Sequence, residues 1–128
     1  MSSVHCVILN WRTAEMTKRA VEAALVAMEG IEGAITVVDN DSRDGSFEAL
    51  SAVGWPRVRV LQSGRNGGYG AGNNHGIRAG LPDGTQPDYV YILNSDAFPA
   101  PDAIRMLVAY LDAHPEAGFA GSHIHGPE

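Results

Sequence analysis

A single cysteine, a single lysine and no long apolar run limit what this 128-residue chain can be. Cys6 has no partner for an internal disulfide and sits inside an apolar stretch, so a buried thiol in a reducing compartment is expected. No segment approaches the roughly 18 apolar residues of a membrane span. The N-terminus, Met1-Ser2-Ser3-Val4-His5, has no basic stretch ahead of an apolar one, so no signal peptide is visible and a soluble, intracellular chain is expected. Nine Lys and Arg stand against 15 Asp and Glu, a formal net charge of −6, without any basic cluster. That balance argues against a nucleic-acid or anionic-membrane surface, and an anionic ligand would need a cation to accompany it. The length and the 45% hydrophobic content suffice for one domain with a real core.

Four short runs rich in β-branched residues read as strands: Val4 to Leu9, Ile35 to Val38, Val58 to Leu61 and Tyr89 to Leu93. Their near-continuous hydrophobicity predicts burial on both faces, as in a parallel sheet. A weaker fifth run begins at Phe119. Between the first two lies a helix over Thr13 to Met28, with Val21, Ala24, Leu25 and Met28 on one face, Thr13 as N-cap and Gly30 as terminator. Ser46 caps a shorter helix carrying Phe47 and Leu50, and Asn73 to Ala79 reads as another, closed by Gly80. The last helix has Pro101 and Asp102 in its first turn, Ile104, Leu107, Val108 and Leu111 as its buried stripe, and His114-Pro115 as its stop. Alternating strands and helices predict an α/β fold with a mostly parallel sheet flanked by helices.

Ligands of open α/β sheets bind beyond the carboxyl ends of the strands. There the sequence turns polar: Asn10-Trp11-Arg12, Asp39-Asn40-Asp41-Ser42, Gln62-Ser63-Gly64-Arg65-Asn66-Gly67-Gly68 and Asn94-Ser95-Asp96 follow the four runs. Each segment also serves turns and caps. Asp39 ends an interior strand, where a carboxylate needs donors or a cation to offset its desolvation, and a nucleobase imide or ribose hydroxyl is such a donor. Trp11 is either a packing residue or a platform for a flat base.

Residues 66–76 hold five glycines in eleven positions just ahead of the third helix, a loop whose backbone N–H groups can approach a ligand closely. They match neither the dinucleotide fingerprint nor a P-loop. In an extended backbone Asn94 and Asp96 project to one side, toward a point just beyond the strand. Mg²⁺ or Mn²⁺ commonly uses only one or two protein carboxylates beside water and phosphates; taken alone, Asp96 reads as a turn or capping acid, since a single carboxylate is a weak metal signal. His5, His75, His114, His123 and His125 show no zinc spacing, and His123 and His125 read as surface residues.

Together these segments resemble the family 2 inverting glycosyltransferases of the GT-A fold, especially rhamnosyltransferase-like members that build cell-surface polysaccharides. Three motifs carry the resemblance in order: Val37-Val38-Asp39-Asn40-Asp41-Ser42 with Asp44-Gly45-Ser46, Asn66-Gly67-Gly68-Tyr69-Gly70-Ala71-Gly72-Asn73-Asn74-His75-Gly76-Ile77, and Tyr91-Ile92-Leu93-Asn94-Ser95-Asp96-Ala97. The resemblance implies a Rossmann-like sheet and a single nucleotide-diphospho-sugar-binding region over residues 1–128. It also implies donor contacts from Asn10, Trp11, Asp39, Asn66, Gly67, Gly68, Gly70, Asn73, Asn94 and Ser95. Asp96, the last acid of a DxD-type motif, would hold Mn²⁺ or Mg²⁺ on the donor diphosphate. The implied donor is a UDP- or dTDP-sugar and the acceptor a saccharide or lipid-linked hydroxyl, with a cytoplasmic location compatible with a peripheral place at the inner membrane face. Two positions depart from the pattern: Asn94 replaces the motif's first acid, and Arg12 stands where Asn is more usual.

Family domains normally continue past this length with the acceptor half and the general base. The chain is therefore expected to be the donor-binding part of a longer domain, its general base lying beyond residue 128, binding nucleotide weakly and catalysing nothing alone. An apolar edge left for the missing half would favour self-association into a homo-oligomer. The alternative is a noncatalytic nucleotide-binding or assembly module. A sugar nucleotidyltransferase or dehydrogenase would place a glycine-rich loop after the first strand, where Asn10-Trp11-Arg12-Thr13 has none. A phosphoacceptor domain would need a basic residue at a late strand, and Lys18 lies in the first helix.

Overall fold

A computed structural model describes residues 2–116 and the backbone of 124–125. Four strands, β1 (Val4–Asn10), β2 (Gly33–Asp39), β3 (Val58–Gln62) and β4 (Tyr89–Asn94), form one sheet in the order β3-β2-β1-β4, with every pairing parallel. Between and after them run α1 (Ala14–Ala27), α2 (Ser46–Ser51), α3 (Tyr69–Ala79), a short strand β5 (Phe98–Pro99), α4 (Ala103–Ala113) and β6 (Ile124–His125). β5 and β6 pair antiparallel beside the main sheet. The weak strand candidate at Phe119 and the side chains of His123 and His125 lie outside the described residues.

The sheet has a thick side and a thin side. Val4, Cys6 and Ile8 of β1, Ile35 and Val37 of β2 and Leu93 of β4 pack with Val21, Ala24 and Met28 of the first helical segment, Leu50 of α2 and Ile104 of α4 in the main core. Burial there pushes the Cys6 thiol up to about 12, which makes it an inert core group. On the opposite face Val7, Leu9 and Val38 form a smaller cluster with Ile77 of α3. Here the helix comes unusually close. A Cβ on Gly76 would lie 2.7 Å from Val7 Cγ1 and 2.9 Å from Val38 Cγ2, and one on Gly72 would lie 2.4 Å from Leu9 Cδ1. Residues four apart share a helix face, so these two glycines form the strip on which α3 rests.

Several expectations change. β1 and β2 are buried on both faces, but β3 is half-buried and Val90 and Ile92 of β4 are 42% and 45% exposed, because α3 packs over β1 and β2 and meets β4 mainly at its tip, where Tyr69 bonds Asn94. The third helix begins at Tyr69, four residues before the expected Asn73, so Gly70, Gly72 and Gly76 are helical and do not belong to a loop. Thr13 and Ser46 do not cap with their hydroxyls: Gly45 is the N-cap of α2, and the Asp44 carboxylate receives the Ser46 amide at 3.0 Å. In α4 the stripe is shallower than expected, with Ile104 buried and Leu107, Val108 and Leu111 half-buried.

His5, given no role by its spacing, is fully buried on the thin side. Its Nε2 meets Thr36 Oγ1 at 2.7 Å, and Arg59 Nε donates to the same hydroxyl at 3.2 Å, while Arg59 Nη2 bonds the Gly80 carbonyl at the end of α3. Burial, and after it the nearby Arg59 guanidinium, pushes His5 below its ordinary value of 6.5.

Two outcomes follow. Gly76→Ala should lower the denaturant-derived unfolding free energy by about 1–3 kcal/mol through overpacking. Gly70→Ala, with nothing within 4 Å of its would-be Cβ, should leave it unchanged or raise it by up to about 1 kcal/mol. An equal effect at both positions would contradict the close approach. The neutral state of His5 contributes stability that is complete above 6.5 and is lost as pH falls below that value, because the unfolded chain then binds the proton more readily. As the pH is lowered through 6.5 the wild type should therefore lose more unfolding free energy than His5→Gln, and parallel stability–pH curves would count against it.

Candidate functional site

The parallel register sets Asn10 opposite Asp39 and Asp39 opposite Gln62, so three polar residues end neighbouring strands side by side. Each strand continues one residue past its apolar run because these tips keep the ladder going: the Asn40 amide donates to the Asn10 carbonyl at 2.9 Å and the Ser63 amide to the Asp39 carbonyl at 3.0 Å. At the centre is Asp39, 1% exposed. Its Oδ1 accepts from Asn10 Nδ2 at 2.8 Å and Ser42 Oγ at 2.6 Å; its Oδ2 accepts from the Ser42 amide at 3.2 Å and Gln62 Nε2 at 3.0 Å. The donors that the sequence reading sought from a ligand come from the protein itself. A cavity of about 520 Å³ opens against Asp39 and Gln62, with Asp41, Arg43, Phe47 and Glu48 around it.

Asn10 extends this network sideways. Its Oδ1 accepts from Thr17 Oγ1 at 2.7 Å and Thr13 Oγ1 at 3.2 Å, and the Thr13 hydroxyl also lies 3.3 Å from Ser95 Oγ. Asp39 and Ser95 are thus joined through Asn10 and Thr13, which places the first, second and fourth strand ends along one rim. Trp11 stands on that rim, 46% exposed, with the Arg12 guanidinium 5.0 Å from its ring centroid, so it is a surface aromatic and not a core one. Arg12 adopts a left-handed φ of 58°, a conformation that costs a non-glycine residue energy and that Asn tolerates better. Ser42 holds it there through the Arg12 amide at 2.9 Å and Arg12 Nε at 3.0 Å.

Beyond β4 the backbone turns. The Ala97 amide bonds the Asn94 carbonyl at 3.1 Å, so Ser95 and Asp96 form the middle of a turn. The expected extended geometry of Asn94 and Asp96 is corrected accordingly: Asn and Asp favour turns, and the polar triplet ends the strand instead of prolonging it. Both side chains are exposed nonetheless, and Ser95 is half-buried. Tyr69, at the start of α3, donates its hydroxyl to Asn94 Oδ1, which leaves the Asn94 amide hydrogens facing outward as donors.

The glycine segment divides by role. Asn66 Oδ1 accepts from the Gly68 amide and from Asn40 Nδ2, both at 3.0 Å, and Asn40 Nδ2 also reaches the Gly68 carbonyl at 3.3 Å, so the turn ahead of α3 is tied to the end of β2. Gly67 lies within that turn. Gly70 is exposed on the first turn of α3. Asn73 is 4% exposed, and its Oδ1 has no partner among the described residues. It shares the Tyr69 face of α3, the flank turned toward β4.

The sequence reading gave no individual role to Asn40, Ser42, Gln62 or Tyr69, although all lie in its polar tips and glycine segment. The Asp39-to-Ser42 spacing is a local signal of a side chain bonding a backbone amide three residues on; the reach of Gln62 and Tyr69 depends on the tertiary fold. No group of three or more His, Cys, Asp or Glu that could enclose a metal occurs among the described residues. No helix among them is long and apolar enough to cross a membrane.

The profile of the family described as Glycosyl transferase family 2 matches residues 5–128. The chain is 34% identical over 107 residues to the succinoglycan biosynthesis protein ExoO of Rhizobium meliloti (strain 1021), covering 84% of this chain and 29% of that protein. It is 33% identical over 102 residues to the N-acetylglucosaminyl-diphospho-decaprenol L-rhamnosyltransferase of Mycobacterium tuberculosis, covering 73% and 32%. Among solved structures, the mannosyltransferase PcManGT of Pyrobaculum calidifontis, in complex with GDP-Man and Mn²⁺, superposes with a TM-score of 0.72 at 19% identity over 86% of this chain and 32% of that one. The chain spans about a third of the length of each.

Asn10→Ala should lower the unfolding free energy by about 1–3 kcal/mol, because it removes a donor from a buried carboxylate and the acceptor shared by two threonine hydroxyls. A denaturation midpoint equal to that of the wild type would show that this network does not hold the strand tips.

Proposed function

The chain belongs to glycosyl transferase family 2 and has the GT-A fold, and from that premise we propose that it is the donor-binding region of an enzyme moving a sugar from a nucleotide diphosphate to an acceptor hydroxyl. The observation that carries the reading is the rim at the carboxyl ends of the sheet, where a buried network around Asp39 presents Trp11, Asn94 and Asp96 outward. The base stacks beside Trp11, and Asp39 with its partners forms the floor beneath base and ribose. Asn73, whose buried Oδ1 has no partner among the described residues, is read with these donor contacts and lies beneath the rim. Asn66, Gly67, Gly68 and Gly70 follow the nucleotide, and the Asn94 amide and Ser95 hydroxyl face its phosphates.

Asp96 fits a divalent cation in one particular way. It is an exposed carboxylate with no hydrogen bond and no set of ligands around it among the described residues, which suits an ion that takes one protein oxygen and fills its remaining positions with water and diphosphate. Mn²⁺ or Mg²⁺ bound there would neutralise charge on the departing diphosphate. We read the transfer as inverting, with the acceptor hydroxyl deprotonated by a base that none of the described acids supplies by motif. The names of the relatives favour a saccharide or lipid-linked acceptor in polysaccharide synthesis; the donor we read as a UDP- or dTDP-sugar and the reaction as cytoplasmic.

Titration with UDP and dTDP, with and without Mn²⁺, tests this reading. Nucleotide should bind more tightly when Mn²⁺ is present. Asp96→Ala should abolish that gain while changing the unfolding free energy by no more than about 0.5 kcal/mol, as for an exposed side chain without partners. Metal enhancement that survives the substitution would remove Asp96 from the site.

A further inference from the structure

Helix α3 has a second flank, which shares only Gly67 with the proposed donor contacts. At 100° per residue, Tyr69 and Asn73 turn toward β4, Gly72 and Gly76 rest on the sheet, and Ala71, His75 and Ala79 turn toward β3. On this β3 side lies a cavity of about 550 Å³, within the range of small-molecule sites, walled by Asn40, Ser63, Arg65, Asn74, His75 and Arg78. No carboxylate lines it, in a chain where acids outnumber Lys and Arg 15 to 9.

Its cations are unengaged. Lys18 and Arg43 form ion pairs, Arg12, Arg57 and Arg59 donate to backbone carbonyls, and Arg19 lies over the Phe98 ring. Among the described residues the guanidinium groups of Arg65, Arg78 and Arg105 alone have no such partner, and two of these three stand on one cavity. The shape of the loop keeps them available. Gly67 has no side chain, and a Cβ there would come within 3.2 Å of Ala71 Cβ and 3.8 Å of Arg65 Nε, so the Arg65 guanidinium lies beside the first turn of α3. Arg78 is seven residues beyond Ala71, about 10 Å along the helix axis. Two arginines on the wall of one cavity, with Asn74 and His75 also lining it, suit a ligand bearing phosphate groups, since arginine engages phosphate in a bidentate manner.

We infer that this flank of α3 is an anion site for a phosphorylated ligand, separate from the rim that carries Asp96 and independent of any divalent cation. The phosphate belongs to a free small molecule or to a lipid headgroup, and the two are separable. Isotope-labelled protein is titrated with inorganic pyrophosphate without divalent ions, following the amides of Ala71, His75 and Arg78. In parallel, co-sedimentation is measured with phosphatidylcholine vesicles with and without phosphatidic acid.

Saturable shifts at those amides, weakened at least about tenfold by Arg78→Gln and by the Arg65→Gln/Arg78→Gln pair but unaltered by Asp96→Ala, establish a site for a free phosphate compound. Arginine-dependent sedimentation with phosphatidic acid, without pyrophosphate shifts, establishes a headgroup site. Far-UV circular dichroism checks that the variants are folded, and both arginines are exposed. Absence of both signals, or binding undiminished in the single and double variants, overturns the inference.

Discussion

A carboxylate buried at the end of an interior strand is costly unless every lone pair is met, and the far edge of this sheet is organised around meeting that need for Asp39. Parallel register supplies Asn10 from one side and Gln62 from the other, and the loop after β2 folds back so that Ser42 donates twice. That return draws in Arg12 and, through the Asp41 amide on Gln62, the start of the loop itself. Left-handed φ at Arg12, Asp41 and Arg43 marks where the chain accepts local strain to make these connections. Asp39 therefore acts on the rim mainly by fixing it.

The same constraint reaches β4 through Asn10 and Thr13, and α3 through Asn40 and Asn66. Side chains that face solvent at the rim are thereby mounted on parts whose own hydrogen bonds are satisfied beneath them. Such preorganisation would suit the flexible, highly charged donor proposed for this rim, since the protein groups would need little rearrangement on binding. Glycine contributes in a different way from a phosphate-cradling loop: Gly72 and Gly76 let α3 settle onto Val7, Leu9 and Val38, which sets Tyr69 against Asn94 and keeps Asn73 in the interior.

The sheet was legible because β-branched runs of five or so residues separated by helical periodicity have few other solutions, and the polar residues after each run do come together at the carboxyl-end edge. The early start of α3 was hidden by composition, since glycine penalises a helix and five of them suggest a loop; the four-residue spacing of Gly72 and Gly76 was the local sign of close packing. The exposed flank of β4 could not be read from Val90 and Ile92, whose surroundings depend on where the preceding helix α3 comes to rest. Likewise Asp39 advertised a need for donors, but Gln62, 23 residues on, is a donor only in the folded register. His5 shows the reverse case: an unremarkable histidine in sequence becomes, through Thr36 and Arg59, a buried polar group with a lowered pKa.

The central claim is that the rim collects a nucleotide diphosphate and that Asp96 supplies the protein's oxygen to the ion accompanying it. Paramagnetic broadening of backbone amide signals by substoichiometric Mn²⁺ reads the ion's position directly. With UDP present, the account predicts loss of signal centred on Asn94 to Ala97 and extending to Trp11 and Thr13, with the amino-terminal ends of the strands spared. Broadening centred on Asp41 and Asp44, or the same weak pattern with and without nucleotide, would contradict it.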